Sequence, residues 1–371
     1  MDWIFALIYF PPDAWLRAVL CFVLCALLLP LLIPAARRLQ LVDHPGGRKQ
    51  HDGAIPVIGG LVICAVATLS FGLFEDFPNV RVVVFSFCML MLVVVGQLDD
   101  RIDLAWPWRI GAQTLAALLV YFVAGVQATN LQDVFGFAGA DIGLFALPFT
   151  IFVVVGVINA LNMADGIDGL AGTLALVSLA LFTGFALYAG NHATATRLLA
   201  LGACVAGFLL WNFRFPWQPR ARVFLGNGGS MLLGFAIAFV AVRLSQDPAH
   251  PVSPVLGPWT LALPLIDCVV LILRRVNQGR SPFSADRQHM HHLLLDAGFG
   301  VAATVLLLGS LSLLLGLGAA IAVKLGVYRP LLVVLFFGLI GLWYLFTRDH
   351  TLAVARLSRL HPSSWRRDVT A

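Results

Sequence analysis

The sequence predicts an all-α polytopic membrane protein, and three observations carry that prediction. Hydrophobic residues make up 60% of the 371, and charged residues only 12%. Soluble domains run near ~45–50% apolar and ~25% charged. Water alone cannot solvate this chain, and the same figures exclude disorder. The apolar residues also fall in unbroken runs of bilayer-spanning length, without the short alternation of membrane barrel strands. Finally, Lys and Arg are shared unequally between alternate loops, the pattern that membrane insertion leaves.

Eleven runs qualify (a count of 10–11 at the margin), near 14–36, 56–74, 79–97, 108–128, 143–161, 170–189, 195–213, 229–245, 257–273, 301–323 and 330–347. Each is expected to be a helix, because in lipid a helix satisfies its own backbone. Of the 24 Lys and Arg, 18 fall on the side of the first loop, counting Arg109 at its border. That excess makes the first-loop side cytoplasmic, the C-terminus with it, and leaves the N-terminus outside. No basic stretch precedes the first run, so a cleaved signal peptide is not expected. Residues 1–347 read as one integral domain with loops near 37–55, 97–109, 159–170, 214–230 and 274–300, and 348–371 as a basic tail.

The formal charge of +5 comes from these loops, not from a basic face on a soluble domain, so nucleic acid is no expected partner. All six cysteines lie inside apolar runs with no CxxC spacing, and read as packing residues. The acids are more telling. There are 18 Asp and one Glu, and eleven of the Asp share the basic side, including every clustered one. Acids do little to set topology, so their gathering there suggests chemistry at the ends of several helices.

Five segments and one buried acid stand out. Asp99 and Asp100 end the third run; adjacent carboxylates repel unless a cation or proton intervenes. They suit a divalent metal site or a carboxylate base, against the plainer reading of a solvated helix end beside Arg101. Asn159-Ala-Leu-Asn162-Met-Ala-Asp165-Gly166-Ile-Asp168-Gly169 ends the fifth run. Its Asn and Asp pairs recur at i,i+3 on one helical face. Four polar groups are more than a helix cap needs, and they are expensive beside lipid without a function. Phe224-Leu-Gly226-Asn227-Gly-Gly-Ser230 opens the eighth run, where a glycine-rich helix N-terminus suits phosphate, or merely a flexible entry.

Asp286-Arg287-Gln-His289-Met-His291-His292 lies in the longest loop. Its His spacing fits neither a zinc helix nor a zinc finger, and better suits donors to phosphate or sugar oxygens. Arg48, Lys49 and His51 could grip a polyphosphate, or Arg48 and Lys49 could act only as topology signals. Asp267 is functional by default inside an apolar run, unless Arg274 or Arg275, two turns on, pairs with it. No Walker A, GxGxxG or HExxH motif occurs. Nor does an inverted repeat with midplane acids of the kind a carrier shows.

Together, DDR at 99–101, NALNMADGIDG at 159–169 and SPFSADRQHMHH at 281–292 resemble the polyprenyl-phosphate N-acetylhexosamine-1-phosphate transferase family, over nearly the whole chain. The RQHMHH form is similar to its WecA-type branch. The resemblance implies transfer of N-acetylglucosamine-1-phosphate from UDP-GlcNAc to undecaprenyl phosphate. UMP is released and undecaprenyl-diphosphate-GlcNAc forms, the first lipid-linked step of a cell-surface glycan. It further implies Mg²⁺ as cofactor with Mn²⁺ as a substitute, a periplasmic N-terminus, a bacterial inner membrane with the site on its cytoplasmic face, and room for a homodimer.

By the same resemblance Asp99, Asp100, Asp165 and Asp168 are catalytic. Metal ligation falls to Asp99, Asp100, Asp168 and Asn227. Substrate binding falls to Lys49, His51, Arg109, Asn159, Asn162, Phe224, Gly226, Asp286, Arg287, His289, His291 and His292. One departure is notable: the family pattern F-x-G-D-x-G-S places Asp where this chain has Asn227. Other readings are the same reaction with another UDP-N-acetylhexosamine, an MraY-type transfer of phospho-MurNAc-pentapeptide, a secondary transporter and an inactive membrane scaffold.

Overall fold

The computed structural model describes residues 10–43, 53–74, 79–137, 139–282, 284 and 288–360. The chain is an all-α polytopic membrane protein. Its helices are α1 (Pro12–Arg38), α2 (Gly59–Phe74), α3 (Val80–Ile102), α4 (Trp106–Phe122), α5 (Ala146–Ala164), α6 (Leu170–Tyr188), α7 (His192–Asn212), α8 (Gly226–Ser245), α9 (Leu256–Thr260), α10 (Ala262–Asn277), α11 (Met290–Asp296), α12 (Val301–Lys324), α13 (Arg329–Phe346) and α14 (His350–Ser358). Strands β1 (Val42–Asp43) and β2 (Ile55–Pro56) pair antiparallel across the first loop, a hairpin that apolar periodicity does not signal.

Eight of these helices are long and apolar enough to cross a bilayer: α1, α3, α5 with the short turn before it, α6, α7, α8, α12 and α13. The other three expected spans come out differently. Helix α2 is only 16 residues long. The fourth run was expected to reach residue 128, but α4 stops at Phe122 and the chain turns through Gly125 at φ +63°. The ninth run is not continuous: Leu261, at φ −123°, ψ 35°, separates α9 from α10. Pro264 explains this break, since it has no N–H to give the Thr260 carbonyl one turn back. The Ser178 hydroxyl lies 2.8 Å from that carbonyl and takes over as donor.

Helix α8 is the hub. About 89% of its spanning window is buried, against 11% for α13 at the edge. It packs on α2, α3, α5 and α6. Glycine makes the tightest of these contacts: a Cβ on Gly96 would overlap the backbone of Gly228, and one on Gly60 that of Gly229. Backbone meets backbone, the close approach that small residues allow between helices in lipid. Leucines at 16, 27 and 31 of α1 and Phe337 of α13 are exposed, as residues facing acyl chains would be.

Polar contacts sort by loop parity. Gln246 binds Thr129 and Asn130, and Arg243 pairs with Asp247 at one end. The acid-rich segments meet at the other.

Candidate active site

The sequence leads each acid-rich segment to the end of a helix, and the fold brings those ends together. Asp99, near the end of α3, is 4% exposed. Its Oδ2 accepts from Arg109 Nη1 of α4 at 3.1 Å and from Asn227 Nδ2 of α8 at 2.8 Å. Asp100 Oδ2 accepts from the Asn227 backbone N–H at 3.0 Å. This carboxylate thereby meets one of the orphan N–H groups at the start of α8. Asn162 of α5 donates through Nδ2 to Asn227 Oδ1 at 3.0 Å and to Ser230 Oγ at 2.8 Å. Asn227 is therefore the knot between α3, α5 and α8. Gly226 holds φ +77°, and a Cβ there would overlap Val57.

The loop between α5 and α6 supplies the second half. Asp168 Oδ2 accepts from Arg214 Nε at 2.7 Å and from the Ala221 N–H at 3.1 Å. Gly169, at φ +85°, donates its N–H to Asn212 Oδ1 at 2.8 Å. The carboxylate of Asp165 accepts no hydrogen bond among the described residues. It keeps an exposed edge but is crowded by protein on its other sides. Loss of surrounding water, then the charges of Asp100 and Asp168, push its carboxyl up to about 7.

His291 closes over this loop, its ring so near Gly166 that a Cβ there would strike Nε2. That nitrogen is buried and takes no hydrogen bond. Burial, and then neighbouring His292 and His289, hold the His291 imidazole well below its ordinary pKa and so neutral. The three rings cluster, with centroids 5.3 Å (289 to 291) and 4.3 Å (291 to 292) apart.

Most of the expected site is thus one recess: Asp99, Asp100, Arg109, Asn162, Asp165, Asp168, Gly226, Asn227 and His291 are joined by direct contacts or by charge. Lys49, His51, Asp286 and Arg287 lie outside the described residues. Phe224 is half-buried beside the recess, its backbone tied to Pro56 and Gly59. Asn159 sits one turn back. It donates to Gln113 Oε1 at 2.6 Å and to the Val155 carbonyl at 2.8 Å, which pins α5 to α4.

In the glycine-rich entry to α8, a Cβ on Gly228 would strike the Val93 backbone and one on Gly229 the Leu225 side chain, so both glycines serve close packing. Sequence reasoning passed over Arg214 and Gln113, and gave Ser230 no role of its own. Arg214 was legible only as one of three Arg in its loop, and Gln113 as a lone amide one turn beyond Arg109.

Among the described residues no three His, Cys, Asp or Glu side chains form a ready-made metal cage. Mg²⁺ seldom needs one, since it takes one or two carboxylates and fills its shell with water and substrate phosphate. A carboxylate with no hydrogen-bond donor, repelled by two others, fits that requirement.

Fold and recess define a multi-pass membrane protein with a carboxylate-rich centre at one end of its helix bundle. A family profile described as glycosyl transferase family 4 matches residues 82–245, the stretch from α3 to α8. An undecaprenyl-phosphate alpha-N-acetylglucosaminyl 1-phosphate transferase of Haemophilus influenzae is 39% identical over 71% of this chain and 74% of its own length. Proteins with the same description from Escherichia coli K12 (34% identical over 71% of each chain) and Salmonella typhimurium (34%, over 76% of this chain and 77% of the relative) agree. The chain belongs to glycosyl transferase family 4, among its undecaprenyl-phosphate transferases.

Proposed function

We propose that the protein transfers N-acetylglucosamine-1-phosphate from UDP-GlcNAc to undecaprenyl phosphate, at the cytoplasmic face of a bacterial inner membrane. The observation that carries this reading is the convergence of Asp99, Asp100, Asp165, Asp168 and His291 beside Asn227, from four separate stretches of chain, in a protein whose relatives are described by that activity. An oxygen of the lipid phosphate forms a bond to the β-phosphorus of the nucleotide sugar. The bond from that phosphorus to the bridging oxygen breaks, and UMP leaves with the oxygen. Two anions must approach each other, so charge neutralisation is the main task of the site.

Asp165 would hold Mg²⁺, or Mn²⁺ in its place, with water and substrate phosphate completing the shell, and the charges of Asp100 and Asp168 would strengthen the attraction. When bound, the ion withdraws charge from the phosphates and orients them for in-line displacement. The protein does the rest. Arg109 and Asn227 fix Asp99 as an acceptor. Asn162 fixes Asn227 in turn. Neutral His291 covers the loop carrying Asp165 without adding charge to it. Arg214 anchors Asp168 and sets the depth of that loop. Lys49, His51 and Arg287, outside the described residues, would bring positive charge for the diphosphate, and Phe224 a face for the uracil. A site at the bundle's end suits a substrate whose prenyl tail stays in the bilayer.

The test is purified protein with UDP-GlcNAc, undecaprenyl phosphate and Mg²⁺, following UMP and the lipid diphosphate sugar together. Formation of both is expected, with a sharp loss in Asp168→Asn and His291→Ala. Wild-type rates in both variants would remove the site from the reaction.

A further inference from the structure

Asp267 lies in α10, ten residues before its end at Asn277, and is buried. The sequence offers Arg274 and Arg275 as its partners, but both its oxygens go elsewhere. Oδ2 lies 2.9 Å from His289 Nδ1, and Oδ1 accepts from the Met290 N–H at 3.0 Å. Ten helical residues are ~15 Å of rise, so His289 and Met290 lie well back along α10 from its end. Helix α11 begins at Met290 and has no side-chain cap of its own from His289. Asp267 supplies that cap from another helix.

A carboxylate only accepts, so the hydrogen between the two groups belongs to His289 Nδ1. Asp267 thereby fixes the tautomer of the ring. Nε2, which carries no hydrogen bond among the described residues, becomes the one ring nitrogen a ligand can use. The same ring stacks on His291 at an interplanar angle of 19°, and His291 rests on Gly166 between the acids. One buried carboxylate thus sets the first histidine and, through the seat of α11, the second.

We propose that Asp267 is a positioning residue for the nucleotide sugar: it presents His289 Nε2 to the donor's diphosphate and seats α11 against the Asp165–Asp168 loop. This rests on the transferase reading above. Asp267→Asn separates orientation from bulk. One amide oxygen still accepts from Met290, but the NH₂ then faces His289 Nδ1 and forces the ring hydrogen onto Nε2.

The experiment measures KM for each substrate and kcat in Asp267→Asn, His289→Ala and the double variant. It also records ¹⁵N-histidine spectra, with His289→Ala assigning the His289 signal. The expected result is a rise in KM for UDP-GlcNAc of about 10- to 100-fold, the scale for removing a residue that orients a ligating histidine. KM for undecaprenyl phosphate should stay unchanged, the double variant should be no worse than His289→Ala, and the ¹⁵N signal should switch from the Nδ1–H to the Nε2–H form.

An unchanged KM for the donor, an equal loss for both substrates, additive effects or an unswitched spectrum would overturn the proposal. Thermal unfolding of each variant, within a few degrees of wild type, shows that the comparison is between folded proteins. If wild-type protein released no UMP at all, the transferase reading would fall instead, and the spectra would still report whether Asp267 sets the His289 tautomer.

Discussion

Asn227→Asp isolates the question of charge in the recess. Asn227 Nδ2 donates to Asp99 Oδ2 at 2.8 Å, and Oδ1 accepts from Asn162. Aspartate keeps the second bond and loses the first, setting two carboxylates face to face. Two like charges about 4 Å apart repel by ~4 kcal/mol at an effective dielectric of about 20. A charge-assisted hydrogen bond worth ~1.5–3 kcal/mol is lost as well. Arg109 and the open mouth of the recess screen part of this, so a net cost of ~2–4 kcal/mol is expected without a divalent cation.

A cation reverses the sign, since the added carboxylate then attracts it. The assay is thermal unfolding of purified wild type and variant in EDTA and across an Mg²⁺ titration, with turnover measured in parallel. The variant should unfold several degrees lower in EDTA and recover the difference as Mg²⁺ rises. Its half-saturating Mg²⁺ should be lower than that of wild type, and its turnover preserved at high Mg²⁺. Equal unfolding temperatures in EDTA together with superimposable Mg²⁺ titrations would refute the account of Asn227 as a neutral bridge between Asp99 and Asn162.

Other outcomes follow from the same geometry. Asp99→Asn should lower turnover about 100-fold or more, the scale of losing a charged group in proton or phosphoryl transfer, while leaving the protein folded; a variant as fast as wild type would exclude Asp99 from the reaction. Asp165 binds its proton more tightly folded than unfolded, so between its unfolded value near ~3.9 and about 7 stability falls as pH rises. Asp165→Asn should therefore flatten the decline in unfolding temperature from pH 4.5 to 7 in EDTA, and at pH 7 and above Mg²⁺ should restore wild type far more than the variant. Gly96→Ala drives a methyl into the Gly228 backbone. A cost at or above the usual ~1–3 kcal/mol of overpacking is expected, visible as a lower unfolding temperature in detergent.

Much of this was readable beforehand because lipid is a strict solvent. A run such as 170–189 has no alternative to helix, and α6 occupies Leu170–Tyr188. Breaks were harder to read. Pro264 signals a missing N–H, but the donor that makes the break tolerable, Ser178, lies far away in sequence. The acids of the site were legible because charge is costly at a membrane edge. Their partners were not: Arg214 looks like any other loop arginine, and which carboxylate it meets depends on how α6 and α7 pack. Asp267 reads as out of place, either functional or paired with the nearer cations, and its actual partners, His289 and Met290, are not in that reading. Helical spacing makes Arg274 and Arg275 the obvious partners, and nothing in the pattern says that the chain beyond them returns to Asp267.

The meeting of Gly96 with Gly228 has a consequence for how this enzyme can vary. Asp99 lies three residues from one glycine and Asn227 one residue from the other, so their separation is dictated by main chain welded to main chain. Exchanging a side chain at the reacting end costs its own contacts but leaves this backbone-to-backbone contact in place. A carboxylate or an amide at residue 227 therefore changes the charge where the two helix ends meet, while the glycine contact goes on setting how far apart those helices run.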